Sequence, residues 1–71
     1  MANHVESLRE VETLVILRAI EVFGDNERAM RWMQEGNPAL SNQSPERALQ
    51  TPEGRAEVLE VLGRIEHGVL S

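Results

Sequence analysis

The sequence predicts an all-α fold, a small bundle of about four helices, on three observations. Strand signals are nearly absent, because one Phe, one Trp, no Tyr and no period-2 alternation leave little to build a sheet. Helix punctuation is dense, with Asn3, Asp25, Ser44 and Thr51 each standing where an N-cap belongs. At 71 residues the chain has room for a single domain, 1–71, and one thin core. Folding at this size buries only about 60% of the surface that an unfolded chain exposes.

The first helix is expected over about residues 4–23, capped by Asn3 with Glu6 placed three residues on to complete a capping box. On a helical wheel its apolar residues from Val5 to Phe23, Leu17 apart, sweep roughly 240°, more than twice the ~100° stripe that one core requires, and Leu17 falls outside even this arc. A helix this apolar is either the central pillar of the domain or half of an interface. In the second reading Leu14, Leu17 and Ile20 form a self-association face and the protein is a homo-oligomer. Gly24 ends the helix as a C′ glycine.

Asp25 opens a second helix, about 26–35, which Gly36 and Pro38 close. Its members Ala29, Met30, Trp32 and Met33 sit at helical spacing. A Met/Trp cluster can be a binding surface, but core packing is the favoured reading, with Trp32 as its anchor. A loop follows, pinned inward by Leu40. Ser44-Pro45 starts a short third helix with Ala48 and Leu49 inward, and Thr51-Pro52-Glu53 starts a fourth over about 52–67. The fourth carries the stripe Ala56, Val58, Leu59, Val61, Leu62 and Ile65. The expected core is therefore Phe23, Trp32, Leu40, Leu49, Leu59 and Leu62. Gly68 is placed to be the C′ residue of this last helix, with Val69 at C″.

Several function classes are disfavoured by what the chain lacks. Without Cys there are no disulfides, thiolate metal sites or cysteine nucleophile, and without Lys no Schiff-base or phosphate-loop lysine. His4 and His67 lie at opposite ends of the chain, and neighbours such as Glu66 and His67 point about 100° apart on a helix, so no metal site is expected. The carboxylate pairs Glu6/Glu10 and Glu53/Glu57 read as solvated faces. Catalysis and cofactor binding are accordingly not expected. Twelve acidic residues against seven Arg give a net charge of −5, which repels a phosphate backbone. The third helix is also too short to be a recognition helix, so nucleic-acid binding by this chain alone is disfavoured. The longest apolar run, Leu14 to Leu17, falls far short of the ~20 residues that cross a bilayer. The first ten residues lack the basic start and apolar run of a signal peptide. A cytoplasmic location, off the membrane, is the expectation.

The order of the special residues says more. Phe23-Gly24-Asp25, Ala29 with Trp32-Met33, Asn37-Pro38-Ala39-Leu40, Ser44-Pro45, Leu49, Thr51-Pro52-Glu53-Gly54, Val58, Leu62 and Ile65-Glu66-His67-Gly68 follow one another across residues 19–70. In this the chain resembles the C-terminal toxin-binding domain of the Xre/MbcA/ParS-type antitoxins. Ser41-Asn42 stands where that family commonly has a glycine pair; Asn42 tolerates a left-handed conformation and can keep the turn. Family members commonly carry a DNA-binding helical region ahead of this domain, and residues 1–18 are too few to hold one.

The resemblance implies a protein partner, a toxin of the RES fold that degrades NAD or transfers from it, whose active-site cleft the antitoxin covers. A self-associating helical adaptor, or a small helix-turn-helix-like regulator, is the alternative. For a toxin partner, the contact is expected at Arg64, Glu66, His67, Gly68, Val69, Leu70 and Ser71. Gly68 would free the chain from the helix, and Val69 and Leu70 are apolar where a terminus is ordinarily polar. The carboxylate of Ser71 suits a cleft built for a pyrophosphate, and Arg64 and Glu66 would orient the approach.

Overall fold

A computed structural model describes residues 4–70 of the chain, with side chains from position 9 to position 68. All regular structure among them is helical: α1 (His4–Phe23), α2 (Asn26–Gln34), a single 3-10 turn (Pro38–Leu40), α3 (Pro45–Ala48) and α4 (Pro52–Leu70). The α1 helix packs on α2 and α4, and α3 bridges α2 to α4. The expected cap Asn3 lies outside the described residues, as do Ser71 and the side chains of Val69 and Leu70.

The caps form where side-chain oxygens meet orphan N–H groups at helix starts. The Arg28 N–H donates to Asp25 Oδ2 at 3.0 Å, the Arg47 N–H to Ser44 Oγ at 3.2 Å and the Gly54 N–H to Thr51 Oγ1 at 3.0 Å. Asn37 Oδ1 accepts from the Ala39 N–H at 2.9 Å and starts the 3-10 turn in the same way. At the end of α1, Gly24 adopts φ +70 and its N–H donates to the Ile20 carbonyl at 2.8 Å. A side chain would strain there, so glycine terminates the helix.

Two expected features are corrected. First, α4 does not stop at His67: it runs through Gly68 to Leu70, and Gly68 has no left-handed φ. A glycine permits a left-handed turn but does not compel one, and here the helix continues through it. Second, Leu59 is not core but 50% exposed, and Ala56 is exposed as well. Gly54, Val58, Val61, Leu62 and Ile65 define the inner face of α4, and Leu59 lies roughly 115° from its centre.

The core itself is Val15, Ala19, Ala29, Met33, Leu40, Ala48, Leu49, Val58, Val61 and Leu62, all buried. Of the expected set, Leu40, Leu49 and Leu62 lie at its centre. Phe23 and Trp32 are only half-buried; they pack against its margin and on each other, with ring centroids 5.6 Å apart and planes tilted by 46°.

The tightest joint is between α3 and α4. A Cβ on Gly54 would sit 1.8 Å from the Ala48 carbonyl oxygen, far inside any tolerable contact, so only glycine lets the first turn of α4 approach the end of α3 this closely. Arg55 then reaches back, its Nε–H donating to the Leu49 carbonyl at 2.9 Å, which satisfies an acceptor that the four-residue α3 leaves without a helical partner.

Candidate functional site

The residues expected at a partner contact gather on the last turns of α4, but not as free charges. Glu66 is half-buried and accepts from the Arg18 guanidinium, which also reaches Glu21 at 3.3 Å, so Glu66 ties α4 to α1. Hydrogen bonding to Glu66, with its charge close by, holds the Arg18 pKa above its ordinary value, and the guanidinium stays charged. Arg64 is exposed and pairs within its own helix, to Glu60 at 2.6 Å. His67 and Gly68 are exposed beyond these pairs. Of the expected contact residues, Arg64, His67 and Gly68 thus lie on the open surface, whereas Glu66 is engaged by the fold.

The expected self-association residues divide similarly. Leu14 and Leu17 are 66% and 52% exposed, and Leu17 lies nearly opposite the buried Val15 and Ala19 on α1. Ile20 is half-buried against the core, so it borders this face instead of extending it.

A third surface was missed by pattern reading. Between the end of α1 and the outer side of α2 lies an open hollow of about 320 Å³, lined by Phe23, Arg28, Arg31, Trp32 and Glu35. Arg28 and Arg31 are exposed, and neither makes an ion pair among the described residues. Their signal in the sequence was the i,i+3 arginine pair beside a lone Trp, which reads as an ordinary solvated face until Trp32 is seen to be only half-covered.

Among the described residues no three His, Asp or Glu side chains gather as a metal site, and no helix is long and apolar enough to cross a membrane.

A family model described as the antitoxin Xre/MbcA/ParS C-terminal toxin-binding domain matches residues 18–68. Two curated relatives are each called antitoxin Xre. The one from Yersinia enterocolitica is 41% identical over 54 residues, covering 75% of this chain and 36% of the relative. The one from Photorhabdus laumondii is 38% identical over 58 residues, covering 80% of this chain and 39% of the relative. The chain therefore spans less than two-fifths of the length of these relatives. No solved structure matches it. The matched region takes in α2, α3, the glycine joint and the core of α4, the same residues whose caps and packing define the fold, and the chain belongs to the Xre/MbcA/ParS antitoxin family through its C-terminal toxin-binding domain.

Proposed function

We propose that this chain is a non-catalytic, cytoplasmic toxin-binding unit. It binds and inhibits a RES-type toxin that degrades NAD or ADP-ribosylates, by covering the toxin's active site. The observation that carries this reading is the match of the toxin-binding family across residues 18–68, which takes in the end of α1, α2, the 3-10 turn, α3 and most of α4. The inhibitory contact is the outer end of α4, from Arg64 through His67 and Gly68 to Val69, Leu70 and Ser71. Because α4 continues past Gly68, this end is presented as a helical projection and not as a loose strand. Exposed Leu14 and Leu17 support a homo-oligomer, with two or more toxin-binding ends held together.

Co-expression with a RES-fold toxin tests the proposal. Deleting residues 69–71 should leave the helical circular dichroism nearly unchanged and restore toxin-driven loss of cellular NAD. Full neutralisation by the truncated chain would move the inhibitory surface away from the end of α4.

A further inference from the structure

We propose that the hollow between α1 and α2 is a second docking point for the protein partner, fitted to an acidic segment with an apolar or aromatic side chain at its tip. The inference rests on the toxin-binding reading and adds a surface to it. Four observations lead there. The floor is apolar: Phe23 and Trp32 pack against each other with centroids 5.6 Å apart, yet both stay half-buried, so ring surface remains available at the lip of the core. The rim is cationic, with Arg28 and Arg31 one helical turn apart, and Glu35 the single acid on it. Those guanidiniums are unengaged among the described residues, as are the isolated Arg9 and Arg47, whereas Arg18 and Arg64 are held by Glu66, Glu21 and Glu60 and Arg55 by the Leu49 carbonyl. Finally, the hollow's volume of about 320 Å³ lies at the small end for a metabolite pocket. It is an open surface depression, suited to one or two side chains of a protein.

Charge decides the kind of partner. The chain as a whole carries −5, so an acidic surface is repelled from most of it and drawn to the place where two arginines stand together. Trp and Arg around a hydrophobic depression are also the residue types that dominate binding energy at protein interfaces. An acidic segment would pair its carboxylates with Arg28 and Arg31, bidentately where geometry allows, while its apolar tip covers the exposed edges of Phe23 and Trp32. Docking on α2 would leave the end of α4 free to reach the toxin's cleft, so two contacts would fix one orientation.

Trp32 is the chain's only tryptophan, which gives a specific probe. With 5-fluorotryptophan incorporated, the full chain shows one fluorine resonance, and it is titrated with the RES-fold toxin that the chain neutralises on co-expression while calorimetry records binding in parallel. The expected result is a shift of that resonance on binding. Arg28→Glu/Arg31→Glu should lower affinity at least tenfold, flatten its salt dependence and leave the melting temperature of the free chain unchanged. Since reversing exposed charges leaves the core untouched, a misfolded double variant is not expected; Arg28→Gln/Arg31→Gln, with a smaller loss in the same direction, guards against it. Tight binding by calorimetry with a static resonance and an unaffected double variant overturns the second docking point and leaves the toxin-binding reading intact. No heat of binding for the wild-type chain overturns both.

Discussion

The middle of α1 and the joint between α3 and α4 use their residues to opposite effect. From Arg9 to Leu17, nine residues bury one side chain fully, Val15, half-bury Val11 and Ile16, and leave Leu14 and Leu17 largely in water. From Ser44 to Leu62, the chain places Pro45, Ala48, Leu49, Gly54, Val58, Val61 and Leu62 out of water and satisfies two helix starts with Ser44 and Thr51. The family match begins at Arg18, where the open face of α1 gives way to residues that close the core. The difference teaches that apolar content alone does not locate the stabilising part of so small a domain. Small residues that permit close approach do, while a surplus of large apolar side chains marks surface left for something else.

The sharpest way to break the comparison is Gly54→Ala. The added methyl would lie 1.8 Å from the Ala48 oxygen, so α4 must move off α3, taking with it the Thr51 cap and the Arg55 bond to the Leu49 carbonyl. A domain of this length holds roughly 4–11 kcal/mol of stability in total, and a backbone clash that displaces a whole helix should remove most of it. Cooperative thermal unfolding, followed by circular dichroism, should be lost. A variant that melts within a few degrees of the wild type would show that the joint is not what holds the fold.

The other side of the comparison predicts the reverse. Leu17→Glu replaces a side chain that is 52% exposed and faces away from the core, so the melting temperature of the monomer should change little. The mass seen by light scattering should instead fall toward that of a single chain. Wild-type protein that is already monomeric at high concentration would leave the open face of α1 to a different occupant.

Most of the fold was legible from the sequence because its signals are local. The Asp25, Ser44 and Thr51 caps, the Gly24 stop and the Ser-Pro and Thr-Pro helix starts each act over three or four residues, and each forms as expected. What depends on tertiary geometry was less legible. Leu59 sits in an apolar run with Val58, Val61 and Leu62, and only the choice of neighbour for α4 decides which of them faces inward. Gly68 carries a stop signal that permits a left-handed turn without compelling it, and α4 runs on through it. Glu66 reads as a free surface charge because its partner, Arg18, is 48 residues away. The hollow at Trp32 escaped for the same reason, since half-burial is a property of packing and not of spacing.

The smallest expected effect lies in the exposed turn that leads into the well-packed stretch, and it sharpens the comparison there. Ser41 and Asn42 both adopt left-handed backbone conformations, with φ of 57 and 67, at the turn where the family commonly places a glycine pair. A residue with a Cβ is strained in that region by roughly 1–2 kcal/mol, and Asn less than most because its short polar side chain bonds locally. Glycine would relieve the strain but gain freedom in the unfolded chain worth about 0.5–1 kcal/mol, so the two effects partly cancel. Ser41→Gly should therefore stabilise by about 0.5–1 kcal/mol, a rise in melting temperature of roughly 2–8 °C for a domain of this size. Asn42→Gly should change it little. The two variants measured side by side separate backbone strain from other causes. A loss of stability in Ser41→Gly would mean that the serine side chain, and not the turn alone, holds the loop between the 3-10 turn and α3.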